Sequence, residues 1–417
     1  MFCTYALGAR LHSRPAGIVA AALLATSPIF LFQLVQPMSD VAVTAWWAVA
    51  LLFALSPLPG SPLAAGAAAG LAVLTRPNLA PLAGIIALAA IGLPRLRRTV
   101  DAAASAARAR EGGSERRIQP QSLLAFAAGV MPALGALALT QWRLYGNPLA
   151  SGYGSAGDLF APGNIAPNVV AYGTRLFRGE RAALGIAACA LAILMAWRAR
   201  SVDLLSVRRV LMLATLTVAV VVASYLPYAV FTEWSYLRFL LPAFPLLFVL
   251  AGALLVNASL CLPPSIRGTV FVMALTIACS VNIVRAEQEQ AFNLRRYESR
   301  YRIAGRYLNA ALGPEAVIVT VQESGSARYY AKVPILRWDQ LGVDLDAALA
   351  AVRAIGRHPV LLVEDWEAPD LRRKFPSSAN ARLDWPARAE FGDETRVRLF
   401  DPVDRGVTRN WPADRVH

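Results

Sequence analysis

The chain has 417 residues, of which 56% are hydrophobic and only 16% charged, with a net charge of +14 at neutral pH. Soluble domains carry roughly 25% charged residues, so a surface this poor in charge, at a mean hydropathy of +0.46, excludes an ordinary soluble globular fold. The positive excess sits in short loops between apolar segments and in the tail, which excludes a nucleic-acid partner.

Residues 1–9 read as the last turns of a membrane span, a stub too short to cross alone. They do not form a signal peptide, because the charges follow the apolar stretch instead of preceding it. Apolar segments of about 17 to 23 residues, the length that crosses a bilayer, then lie near 15–36, 39–57, 61–76, 78–94, 121–142, 182–197, 210–231, 238–256 and 268–284. Arginine collects after the fourth segment (Arg95, Arg97, Arg98, Arg108, Arg110, Arg116, Arg117) and after the sixth (Arg198, Arg200, Arg208, Arg209), which puts both loops in the cytoplasm. Alternation from there places the tail outside. One outward loop, 143–181, resists the rule by holding Arg143, Arg175, Arg178 and Arg181, and those arginines call for anionic company.

The tail reads as a small three-layer α/β domain. A polar helical stretch at 286–312 precedes the β-branched run 316–320, a helical stretch at 345–355 and a second buried strand at 360–363. The segment Glu323-Ser324-Gly325-Ser326 reads as a turn. The expected architecture is a polytopic α-helical membrane bundle over 1–284, about nine spans plus the stub, followed by an extracytoplasmic α/β domain over 285–417.

Ionisable groups at the mouth of a membrane bundle are costly, so each is a functional candidate. The outward carboxylates are Asp40, Asp158, Glu180 and Glu233; with no histidine or cysteine on that side, a general base there has to be one of them. Asp40, in Gln36-Pro37-Met38-Ser39-Asp40, has a bland alternative as a helix N-cap. Arg76 can neutralise Asp40, grip a phosphate in bidentate fashion, or snorkel to lipid headgroups. Glu233 and Arg238 flank Trp234 and Tyr236, residues suited to the interfacial aromatic belt. Arg238 wants an anion, for which a lipid phosphate is the plentiful source. Tyr153, in Ser151-Gly152-Tyr153-Gly154, belongs either to a carbohydrate-facing surface or to a plain turn. No residue set has metal-ligand spacing, although Asp40 with Asp158 or Glu233 leaves a divalent cation possible.

Together, Ser27-Pro28, Pro37-Met38-Ser39-Asp40, Trp46-Trp47, Thr75-Arg76-Pro77-Asn78 and Tyr236-Leu237-Arg238-Phe239-Leu240-Leu241-Pro242 resemble the GT-C superfamily of membrane glycosyltransferases. The likeness is to the branch holding protein O-mannosyltransferases and lipid A aminoarabinose transferases, and it covers roughly residues 1–285. It implies a sugar moved from a polyprenyl-phosphate donor to a glycan, lipid or protein acceptor outside the cytoplasm, with inversion, in a bacterial inner membrane. It matches Asp40 to the family's acidic residue in the second outward loop and Arg238 to a basic residue before a late span. Joined to the outward charges read above, the expected catalytic carboxylates are Asp40 and Glu233, and the expected substrate-binding groups are Arg76, Asp158, Arg238 and Tyr153. The family places its principal acid in an outward loop that precedes the first segment seen here. The expectation is therefore either a start assigned too far downstream or a degenerate, non-catalytic binding protein. A transporter or flippase is the rival from another class, marked by inverted repeats, and no repeat is visible.

Overall fold

The computed structural model describes residues 1–91, 120–150, 156–180, 204–231, 233–392, 395–406 and 413–416. The chain divides into two compact units, Met1–Phe292 and Asn293–His417.

The first unit is helical. It runs through α1 (Phe2–Leu11), α2 (Arg14–Thr26), α3 (Pro28–Leu34), α4 (Ser39–Ala54), α5 (Ser61–Thr75), α6 (Leu82–Ala90), α7 (Pro120–Tyr145), α8 (Ala156–Leu159), α9 (Ile165–Gly179) and α10 (Leu204–Tyr225). A 3-10 helix, Trp234–Ala243, feeds directly into α11 (Phe244–Leu260), and α12 (Pro264–Gln288) closes the unit. The stub is thus a helix in its own right, packed against α2 and tied to α4 by a 2.7 Å bond from Arg10 Nη1 to the Leu52 carbonyl.

The segment expected to span at 15–36 is broken. Pro28 has no N–H and its ring excludes the preceding turn, so α2 stops at Thr26 and α3 sets off at 62° to it. Among the described residues, three helical stretches are long and apolar enough to cross a membrane, Gln121–Tyr145, Trp234–Leu260 and Pro264–Gln288, or four if the bent pair counts as one. Helices α4 and α5 are apolar but shorter, and residues 182–197 lie outside the described residues. Burial sorts these helices. In the Trp234–Leu260 stretch 83% of the apolar 18-residue window is buried, whereas in α7 and α12 the share is 11% and apolar side chains face outward.

Close helix crossings depend on small residues, because apolar lipid tails give helices no hydrophobic reason to associate and packing has to do so. At the α5–α7 crossing, a Cβ placed on Gly66 would run into the Phe126 carbonyl, and one on Gly129 into the Leu63 carbonyl.

The second unit is a three-layer sandwich. Its sheet comprises β1 (Ala316–Val319), β2 (Ile335–Leu336), β3 (His358–Glu364), β4 (Ala389–Phe391), β5 (Val397–Phe400) and β6 (Asp414–Val416), in the order β2-β1-β3-β5-β4-β6. Strands β2, β1 and β3 are parallel, while β5 runs antiparallel to both β3 and β4. Strand alternation sorts the two cores. Ile318, Val360 and Leu362 meet Ala304 and Leu308 of α13 (Leu294–Ala311) and Ala327 and Ala331 of α14 (Ser324–Ala331). Val319, Leu361 and Val363 meet Leu345 and Leu349 of α15 (Leu345–Ala354) and Leu371 of α16 (Ala368–Lys374).

Two differences from the sequence expectations stand out. Helix α12 continues to Gln288, so the boundary between units falls after Phe292 and not after residue 284. Ser324-Gly325-Ser326 is no turn but the first turn of α14, with Ser326 Oγ donating back to Glu323 Oε2 at 2.7 Å.

Candidate active site

One proline, Pro77, and the start of α4 assemble a charged cluster at one end of the bundle. Met38 is extended (φ −113°, ψ 160°) and α4 begins at Ser39, so Asp40 falls in the first turn, where the helix dipole favours a carboxylate. Asp40 does not cap the helix, since no side chain bonds the N-terminal amides there. Its carboxylate turns to Arg76 instead. Pro77 bars its predecessor from the helical region, so Arg76 is extended (φ −149°, ψ 92°) at the end of α5. From there Arg76 Nη1 donates to Asp40 Oδ1 at 2.6 Å and to the Tyr225 hydroxyl at 3.3 Å.

Arg238 arrives from the 3-10 helix. Its Nε stands 3.9 Å from Asp40 Oδ2, an ion pair but too long for a hydrogen bond. Among the described residues, neither atom has a hydrogen-bond partner. Rings hold the guanidinium groups in place by cation–π contact. Arg76 lies 5.5 Å from the Phe239 centroid, and Arg238 lies 4.7 Å from Tyr236 and 5.4 Å from Phe239. Tyr225 stacks on Phe239 at 4.7 Å.

Exposure decides what a ligand meets first. Asp40 is 0% exposed, and the Arg76 and Arg238 side chains are each 16% exposed. Two cations around one carboxylate leave a net positive charge. An approaching anion therefore finds the arginines before the acid, and bidentate phosphate geometry suits them.

The remaining predicted residues fall elsewhere. Glu233 is exposed at the start of the 3-10 helix, and the cation that feels its charge is Arg175 of α9. Asp158 lies in α8 and its side chain is outside the described residues, as is Tyr153 entirely. The arginine-rich loop contains α9, which the sequence expectations missed; apolar residues at 165, 169, 170 and 177 were its signal. Arg175 donates to the Phe231 carbonyl and lies against the Tyr172 ring. Phe239 lies in the Tyr236–Pro242 motif but is not singled out by it, and Tyr225 has no distinguishing signal beyond being aromatic. Among the described residues, no three His, Cys, Asp or Glu side chains gather as a metal site.

Residues 1–105 match the family model of dolichyl-phosphate-mannose-protein mannosyltransferases. The resemblance to the GT-C glycosyltransferases holds over this stretch. It includes Asp40 and Arg76 and stops short of Arg238. No curated protein matches the chain. Among solved structures, the chain is similar to the crystal structure of ArnT from Cupriavidus metallidurans bound to undecaprenyl phosphate. That likeness has 14% identity and a TM-score of 0.47, and it covers 95% of this chain and 81% of that one.

Proposed function

We propose that this chain is a membrane glycosyltransferase that takes a sugar from a polyprenyl-phosphate donor and passes it to an extracytoplasmic acceptor with inversion. One observation carries the reading: a fully buried Asp40 held between two partly open arginines at one end of an apolar helical bundle. The two arginines receive the lipid phosphate. Asp40 Oδ1 is taken by Arg76, which leaves Oδ2, without a hydrogen-bond partner, as the oxygen able to accept a proton. An acceptor hydroxyl between Oδ2 and Arg238 Nε would accept from the guanidinium and donate to the carboxylate. Its proton passes to Oδ2 as its oxygen bonds the anomeric carbon, and the carbon–phosphate oxygen bond breaks with its electron pair leaving on the phosphate. The arginines stabilise that charge as it develops. Residence in the inner membrane, with 293–417 as the extracytoplasmic domain and the helical unit as the transferase bundle, belongs to the same proposal, as does an exposed Glu233 guiding the acceptor at the lip.

The test is lipid binding by the full chain in detergent, read by native mass spectrometry. The probes are undecaprenyl phosphate and undecaprenol. The expected result is retention of the phosphate but not the alcohol, with loss of retention in Arg76→Ala and Arg238→Ala. Equal binding of the alcohol, or full retention in the double variant, would overturn the phosphate assignment. The 62° break at Pro28 is a feature that transporters share. Movement of undecaprenyl phosphate across vesicles without sugar transfer would favour that second reading.

A further inference from the structure

Helix α9 (Ile165–Gly179) is amphipathic in reverse. A surface helix in water buries its apolar stripe and shows its polar one. Here Asn168, Tyr172 and Arg175 are buried, while Ile165, Val169, Val170 and Phe177 are 41%, 53%, 68% and 61% exposed. The polar face is committed to the bundle. Asn168 Nδ2 donates to the carbonyls of Leu226 at 2.9 Å and Tyr228 at 2.7 Å, just beyond the end of α10. Arg175 donates to the Phe231 carbonyl. Glu180, the next residue after α9, is 0% exposed and fills the break between α2 and α3, accepting from Ser27 Oγ at 2.7 Å and Ile29 N at 3.2 Å.

These bonds fix the level of the helix. Tyr225, the last residue of α10, also touches Arg76, so α9 lies at the same end of the bundle as Asp40. Helix α7 ends at Tyr145, with Trp142 59% and Tyr145 47% exposed, the aromatic signature of a membrane–water interface. Arg178 stands exposed in the last turn of α9, next to Phe177, where a long cationic side chain can reach anionic headgroups.

We propose that α9 is an interfacial helix whose Ile165–Val170–Phe177 face is seated in the headgroup–acyl boundary of the bilayer, with its polar face forming a wall of the bundle end that holds Asp40. The occupant is lipid, because the outward side chains of α7 and α12 are apolar in the same way and Arg178 supplies the complementary charge. The inference rests on membrane residence and is indifferent to sugar transfer.

The test uses full-length chain in nanodiscs containing anionic lipid, with Cys3, Cys189, Cys261 and Cys279 replaced by serine. A nitroxide is placed at Val170→Cys and, separately, at Phe177→Cys, with Asp370→Cys as the aqueous reference. The expected result is an oxygen-to-nickel collision ratio several-fold above the reference at both positions. A water-like ratio would overturn the inference, and so would dipolar broadening between labels on two copies, which would make a second chain the occupant. Two independent label sites keep the test decisive if one variant fails to fold. Lipid contact without undecaprenyl phosphate binding would leave this inference standing while the phosphate assignment fell.

Discussion

Asp40 and Arg76 stand 36 positions apart and meet at 2.6 Å, with the carboxylate wholly buried. Neither is neutralised by its own helix; each is the other's principal partner, and Arg238 completes the charge from 3.9 Å. Removing one member of a buried pair leaves the other desolvated and uncompensated, at a cost of about 3–5 kcal/mol. Arg76→Ala is therefore expected to lower the melting temperature of the detergent-solubilised chain more than Arg238→Ala, which loses no hydrogen bond to Asp40. Pairing Arg76→Gln with Asp40→Asn is expected to recover part of the loss. Equal destabilisation by the two arginine variants would show that the 2.6 Å contact is not the dominant one.

Glu180 makes its bonds as an acceptor, and among the described residues no cation pairs with it. Glu180→Gln keeps an oxygen for Ser27 and Ile29 and removes the charge, so stability is expected to hold or rise. Glu180→Ala leaves the Ile29 amide buried and unpaired and is expected to cost about 1–3 kcal/mol. Comparing the melting temperatures of the two variants checks this; a glutamine variant as damaged as the alanine one would mean that the charge itself is needed.

The α5–α7 crossing leaves no room at Gly129, whose position meets Leu63 backbone. Gly129→Val forces the helices apart, and overpacking of this kind costs about 1–3 kcal/mol. Reduced recovery of monodisperse protein is the expected outcome. Gly135→Val, on the same helix with open space around it, should leave recovery unchanged.

In the second unit, Glu323 lies under the carboxyl ends of β1 and β3. Burial first, and then Glu364 beside it, push its carboxyl up to about 8 against the ordinary 4.5, while Ser326 and Arg300 pull it back. Among the described residues Glu323 Oε1 has no donor, and a proton on that carboxyl lets it donate to Glu364. Between about 4.5 and 8 the folded state binds a proton that the unfolded state lacks. Stability from this group is therefore lost as pH rises through that window and is level above it. Hydrogen exchange of the β1 and β3 amides, corrected for intrinsic rate, is expected to show weaker protection at pH 8.5 than at pH 6. Glu323→Gln should flatten that dependence; an unchanged slope in the variant would assign the effect to another group.

The sequence was legible where a single local rule governs. Val317 and Ile318, and Val360 through Val363, announced buried strands through β-branching and continuous apolarity, and both formed in the sheet. Strands β4 and β5 carry little local signal because Ala389-Glu390-Phe391 and Val397-Arg398-Leu399 are short; β5 is a strand through its pairing with β3 and β4, and β4 through its pairing with β5 and β6. Asp40, Arg76 and Arg238 were singled out as costly charges at the ends of apolar segments, and the structure brings these three together. The sequence left Asp40 between a helix cap and a pairing with Arg76, and the structure takes the second. That follows from Pro77 turning Arg76 out of α5, and from Tyr225 and Phe239 closing over the pair. Helix α9 is hidden in the sequence because its apolar stripe faces outward and its arginines give the segment the composition of a polar loop.

Sugar transfer tests the central claim most directly. Full-length protein in lipid vesicles would be offered a panel of undecaprenyl-phosphate-linked pentoses and hexoses, with release of undecaprenyl phosphate as the readout and native mass spectrometry to follow lipid binding. Asp40→Asn is expected to keep undecaprenyl phosphate bound while transfer falls by about 10²–10⁴-fold, the weight of a general base. Transfer by Asp40→Asn at the rate of the unaltered protein would contradict the account and remove Asp40 from the chemistry.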